Sequence, residues 1–196
     1  MAGLRSITDF RSKLVGGGAR PNLFQVELPG FPAAIKDKWG DTLQKDFKFM
    51  CKAAALPASN VAAIEVPFRG KTLKVAGDRT FDTWTITVIN DESFDLRKAF
   101  EDWMKYINNH TDAEGPSNPG EYQENAFVYQ LKRDYASADV NNAELQDSDA
   151  IIYTLFGIFP TNVSQIDLSY DSTDTIEEFT VEFQVQYWER GKFDDR

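Results

Sequence analysis

Residues 73–91 read L-K-V-A-G-D-R-T-F-D-T-W-T-I-T-V-I-N-D, and their pattern sets the fold class. The stretch opens on a short alternation, Leu73 and Val75, and breaks at Ala76-Gly77-Asp78-Arg79. It alternates strictly again from Asp82 to Asn90. There Trp84, Ile86 and Val88 face one way and Thr83, Thr85 and Thr87 the other, the period of a half-buried strand. Gly77-Asp78-Arg79 reads as a corner between two strands.

The same period recurs on both sides of this stretch. It appears in Phe24/Val26/Leu28, Phe47/Phe49/Cys51, Ile64/Val66/Phe68, Phe127/Tyr129/Leu131 and Ile166/Leu168/Tyr170. Residues 151–159 are apolar enough for a strand buried on both faces. The clearest strand is the last, with Phe179, Val181, Phe183, Val185 and Tyr187 on one face. Thr180, Glu182, Gln184, Gln186 and Trp188 lie on the other. One long helix is predicted over residues 92–108, where Leu96, Phe100, Trp103 and Ile107 form an apolar stripe. Asn90 or Asp91 can cap it, and Glu92 and Asp95 suit its positive end. Residues 31–46, 110–125 and 134–150 read as long polar connections. Many strands and one helix predict a mainly β sandwich or barrel.

Length and composition narrow the function classes. A chain of 196 residues favours one domain with a real core. Its 31 acids and 21 bases give a net charge of −10, which argues against whole-surface binding to phosphates. No apolar run reaches the length of a membrane span, so no membrane anchor is expected. The N-terminus lacks a continuous apolar h-region, so no signal peptide is expected. A single cysteine excludes an intrachain disulfide framework.

Nothing in the sequence assembles a catalytic, metal or cofactor site. Cys51 is in phase with Phe47 and Phe49, as a buried thiol would be. His110, the only histidine, falls in a loop. Gly70-Lys71-Thr72 resembles the end of a phosphate-binding loop, but position 65 holds Glu65 where that loop needs glycine. It reads better as a hairpin tip. There is no Cys/His cluster for zinc, and Asp147-Ser148-Asp149 lacks the glycine and distal glutamate of a calcium loop.

The N-terminal arm differs from the rest. Leu4, Ile7, Phe10 and Leu14 recur near helical spacing before Gly16-Gly17-Gly18. Arg5, Arg11, Lys13 and Arg20 stand against a single acid, Asp9. The arm reads either as a frayed basic terminus or as a short amphipathic element docking on an acidic neighbour through Arg5, Phe10, Arg11 and Lys13.

Five segments in order resemble one family. They are R-P-N-L-F-Q-V-E-L (20–28), F-M-C-K-A-A-A-L-P-A (49–58), K-V-A-G-D-R-T-F-D-T-W-T-I-T-V-I-N-D-E (74–92), F-P-T-N-V (159–163) and Y-W-E (187–189). Together they are similar to the tail tube proteins of contractile-tailed, T-even-type bacteriophages. The resemblance implies a sandwich-like barrel with one flanking helix. It also implies six-subunit rings whose strands join into one continuous barrel, with the rings stacked into a tube inside a contractile sheath. The implied partners are further copies of the chain, the sheath, the tape measure protein, a baseplate initiator, a tail terminator and DNA in transit. The implied location is the virion tail, assembled in the host cytoplasm.

It further implies an inter-ring hairpin over residues 56–79, with Phe68, Arg69, Gly70 and Lys71 at its tip and Asp78 and Arg79 at its base. Glu178 and Glu182 are the acids assigned to the lumen, with an outward or intersubunit position as the alternative. The expected organisation is an arm (1–19), one tail-tube domain (20–190) and a C-terminal tail (191–196). The three long polar segments and the glycine-interrupted arm depart from compact members of the family. Other readings are the tube of a related contractile particle or type VI secretion system, a monomeric β-sandwich binding module and a two-carboxylate enzyme.

Overall fold

The alternation in residues 84–89 and 178–184 becomes the centre of the sheet. The computed structural model describes residues 7–14, 18–132 and 150–191. In chain order these form α1 (Ile7–Lys13), β1 (Phe24–Glu27), α2 (Ala33–Met50), β2 (Cys51–Ala54), β3 (Ser59–Phe68) and β4 (Lys71–Phe81). There follow β5 (Trp84–Ile89), α3 (Asp95–Ile107), β6 (Glu124–Leu131), β7 (Ala150–Val163), β8 (Glu178–Gln184) and β9 (Tyr187–Arg190). The mainly β class holds. In β5 and β8 the antiparallel register sets Trp84 opposite Phe183, Ile86 opposite Val181 and Val88 opposite Phe179. All six are buried, each worth roughly 1.5–3 kcal/mol when the side chain is large.

The main sheet runs β1-β6-β7-β8-β5-β2, with β9 also on β7. Its long strand β7 serves three partners. The first part of β7 pairs with β6 and β9, and Phe159–Val163 pairs with β8. Gly157 lies between these parts at φ +60°, opposite a register shift between Glu124 and Ala126. A glycine at positive φ in such a bulge bends the strand. The sheet therefore curls until its end strands β1 and β2 approach each other. They are not hydrogen-bonded neighbours, so the sheet is open along that seam.

α3 fills the concave side. Phe100 meets Phe31, Phe47, Phe179 and Phe183 through ring edges, and Trp103 meets Phe31 and Phe183. Trp103 donates its indole N–H to the Tyr122 carbonyl at 2.8 Å. The predicted stripe is the one buried, with Ile107 half-buried at its end. The helix begins at Asp95 because Phe94 is left-handed at φ +60°. Asp91 accepts the backbone N–H groups of Asp95 and Leu96.

Several expectations are corrected. The supposed loop 31–46 and the supposed strand at 47–51 are largely α2, which runs from Pro32 at its N-cap to Met50. Ile35, Trp39, Leu43 and Phe47 recur every four residues and pack in or against the core. The charged residues among them and Gly40 obscured this stripe. Phe49, out of helical phase, is exposed. Cys51 is buried as expected, and burial pushes its thiol up to about 12.

In β6, Ala126 and Val128 join the core cluster rather than Phe127. Residues 164–177 form no strand, and Leu168 and Tyr170 stand in solvent. The final alternation breaks after Val185: β9 leaves β8 for β7, exposing Tyr187 and packing Trp188 against the core. His110 is exposed in its loop. The segment 133–149, which holds most of the third long connection, and residues 192–196 lie outside the described residues.

Candidate assembly surfaces

β3 and β4 form a two-stranded sheet of their own, apart from the main one. The turn consists of Arg69 at φ +45° and Gly70 at φ +78°, the pair of positive angles that matches the twist of a two-residue hairpin. Phe68 and Lys71 face each other beside it, and the Arg69 guanidinium lies 5.4 Å from the Phe68 ring centroid. The turn thus sits where the sequence placed the tip. The break at Gly77-Asp78-Arg79 is not a corner. β4 runs through it, and Gly77 and Asp78 oppose Ala62 alone in a β-bulge. Arg79 pairs with Val61, and the true corner is Asp82-Thr83. Asn60 donates its side-chain N–H to Asp82 there at 2.9 Å.

The turn makes the hairpin two-faced. Ile64 opposes Val75 and Val66 opposes Leu73, with Phe68 beyond them on the same side. The other side carries Ala63 opposite Ala76, Glu65 opposite Lys74 and Pro67 opposite Thr72. Glu65 and Lys74 form an ion pair at 3.5 Å. The five apolar side chains are 44% to 67% exposed. A two-stranded ribbon is marginal in water without something packed on it, and a contiguous exposed apolar face marks a contact surface. Sequence reading found the alternation but not the bare ladder. The turn position was the usable signal, since it fixes every cross-strand pair.

A second surface is the outer face of β5 and β8. Thr85 opposes Glu182, Thr87 opposes Thr180 and Glu182 also opposes Asn162 on β7. The face is hydroxyl, amide and carboxylate. Glu178 and Glu182 both lie on it, half-buried. They differ in charge balance: Glu178 accepts from Lys52 at 2.5 Å, whereas Glu182 has no ion pair among the described residues.

A third surface lies where α2 crosses α3. Asp102 accepts from Lys38 at 2.5 Å and from the Trp39 indole at 2.9 Å. Partial burial opposes its ionisation. The hydrogen bonds from Lys38 and Trp39, with the charges of Lys38 and Lys105, outweigh that and hold the carboxyl below its usual range. Beside this clasp is a cleft of about 550 Å³. Loop 114–121 walls it, held to the segment just after α3 by the Asn109 N–H on the Glu114 carbonyl. Gly115 sits so close that a Cβ there would lie 2.1 Å from the Ile107 carbonyl oxygen.

The arm forms α1, with Ile7 and Phe10 on it and Leu14 just after it exposed. Arg11 and Lys13 fall in it, and Arg5 lies outside the described residues. Among the described residues no three His, Cys, Asp or Glu side chains group as a metal site. No described helix is long and apolar enough to cross a membrane.

The family profile described as "Phage tail tube protein" matches residues 19–190. The chain belongs to the phage tail tube protein family. Tail tube protein gp19 of Enterobacteria phage T4 is 39% identical over 174 residues, covering 89% of this chain and 93% of the relative. The tail tube protein of Serratia phage KSP90 is 25% identical over 92% of this chain and 94% of the relative. Tail tube membership makes the chain a structural component of a virion tail.

Solved tube-related structures share the fold. A chain from the anti-feeding prophage tube-terminating cap superposes with a TM-score of 0.58 at 14% identity, covering 90% of this chain and 92% of that chain. A chain from the sheath-tube complex of the PVC extracellular contractile injection system gives 0.54 at 12%, covering 93% and 97%. Identity is thus higher to these phage tail tube proteins than to the chains of these two structures.

Proposed function

We propose that the chain is the repeating subunit of a phage's inner tail tube. Six copies form a ring, and rings stack inside a contractile sheath. The tube carries the tape measure protein during assembly and conducts DNA during ejection. Assembly takes place in the host cytoplasm, begins on a baseplate initiator and is closed by a tail terminator.

The bare apolar ladder of the β3–β4 hairpin carries this reading. Ile64, Val66, Phe68, Leu73 and Val75 are uncovered within one subunit, and a copy in the adjacent ring supplies a cover. Phe68, Arg69, Gly70 and Lys71 reach that copy, with Asp78 and Arg79 nearer the root. The open seam between β1 and β2 supports ring closure by neighbouring copies, because unpaired sheet edges invite pairing and a heterologous contact that closes gives a ring. The Thr85/Thr87/Thr180/Glu182 face supports a lumen role, because neutral and acidic walls hold DNA weakly. Glu182 is the stronger lumen candidate, since Lys52 offsets Glu178.

Electron microscopy of negatively stained protein across a concentration series, with light scattering, tests the proposal. Hollow rings or tubes are expected, alone or after adding a baseplate nucleator. A protein that stays monomeric with the nucleator present overturns it. Arg69→Glu with Lys71→Glu should shorten or abolish tubes and leave the subunit folded.

A further inference from the structure

We infer that α1 of one copy docks into the cleft between α2, α3 and loop 114–121 of a second copy, strapping neighbours together. The inference rests on the tube reading above and adds a contact to it. α1 and the residue that follows it offer Ile7, Phe10 and Leu14 at i, i+3 and i+7, the anchor spacing of a helix that lies in a groove. Ile7 is 84% and Phe10 65% exposed, so the subunit's own surface leaves its arm largely uncovered. The cleft has the complementary make-up. Ala34, Ile35, Tyr106 and Pro116 give it apolar surface, and Glu114 and Glu121 supply acids at the loop.

Charge gives the contact a direction. Arg11 and Lys13 make no ion pair among the described residues, nor do Glu114 and Glu121. Asp102, the other acid of the cleft, is already held by Lys38. Lys105 also lines the cleft, yet its three acids, Asp102, Glu114 and Glu121, outnumber its two lysines, Lys38 and Lys105, so Arg11 and Lys13 meet a wall that is acidic at loop 114–121, as complementary interfaces arrange them. Gly16, Gly17 and Gly18 join the arm to the body, with Gly18 at φ +82°. Gly18 takes this left-handed angle at no steric cost. One exchange covers an apolar helix face and an apolar cleft at once, and repeating it head-to-tail suits a closed ring.

Disulfide trapping in the full-length chain tests this. Full-length Phe10→Cys is mixed with full-length Ala34→Cys during assembly and oxidised, then run on a non-reducing gel. Both positions are exposed, so the fold should tolerate them, and native Cys51 is buried. A covalent dimer of the two variants is expected, with none when Phe10→Cys is mixed with Thr72→Cys. Glu114→Lys with Glu121→Lys in the acceptor should lower the yield about tenfold. Arg11→Glu with Lys13→Glu in the donor should restore it.

Tubes without the Phe10–Ala34 dimer would overturn the inference and leave the tube reading standing. So would a Phe10→Cys/Ala34→Cys double variant that cross-links only within single chains, because the arm would then serve its own cleft. A dimer formed without any tubes would support the contact and count against the tube reading alone.

Discussion

The β5–β8 pair and the β3–β4 hairpin use the same residue types in the same period, yet one is covered and the other bare. In the first, Trp84, Ile86, Val88, Phe179, Val181 and Phe183 lie under α3 and its aromatic neighbours. In the second, an equally apolar ladder faces outward. Alternation reports that a strand has an apolar face. It does not report who covers that face. In the sheet the cover comes from the same chain; for the hairpin none of the described residues supplies one.

Four measurements break or sharpen this contrast. Phe100→Ala removes the ring shared by Phe31, Phe47, Phe179 and Phe183 and should cost about 3–5 kcal/mol in urea denaturation. Gly157→Ala should cost about 1–2 kcal/mol for the left-handed backbone alone, plus the clash of a Cβ 2.7 Å from Gln186 Cγ. Val66→Ser with Leu73→Ser should change subunit stability by only about 0.5 kcal/mol, yet sharply reduce tube length in micrographs. A large loss of subunit stability there would mean the ladder is covered within its own chain.

The smallest effect concerns Cys51. At neutral pH the native thiol should resist iodoacetamide, whereas the urea-unfolded chain should react. Its value rises from 9.0 to about 12 because burial disfavours the thiolate, with a smaller opposing contribution from the backbone at Ala53. Above pH 9 the unfolded chain therefore binds fewer protons than the native one, and stability should fall as pH rises towards 12. A flat denaturation midpoint across that window would contradict the burial.

The sequence was most legible where burial and period agree, as in β5, β8 and α3. It was least legible in α2. Phe47, Phe49 and Cys51 satisfy period two by coincidence, and the stripe that wins, Ile35/Trp39/Leu43/Phe47, is broken by Gly40 and charges. Residues 166–170 failed for the opposite reason: Ile166, Leu168 and Tyr170 alternate, but no strand pairs with them. For the surfaces, the hairpin tip was readable from Arg69-Gly70, while the α2–α3 cleft was not, because the walls that face α3, Ala34 to Lys38 and loop 114–121, come from segments read as loops.

The bulge at Gly77-Asp78 has one more consequence. Beyond it, towards the tip, the odd-numbered residues of β4, Leu73 and Val75, share the apolar face with Ile64 and Val66. Nearer the root the pairing shifts by one, so Phe81 falls on the opposite side, with Ser59 as its partner. There its ring meets Trp188 of the subunit body, 6.2 Å between centroids. One inserted residue works as a phase switch in the strand. It lets a single ribbon clamp to its own subunit with one side at the root and keep the other side free at the tip. Removing Asp78 would put both tasks on the same side, in competition.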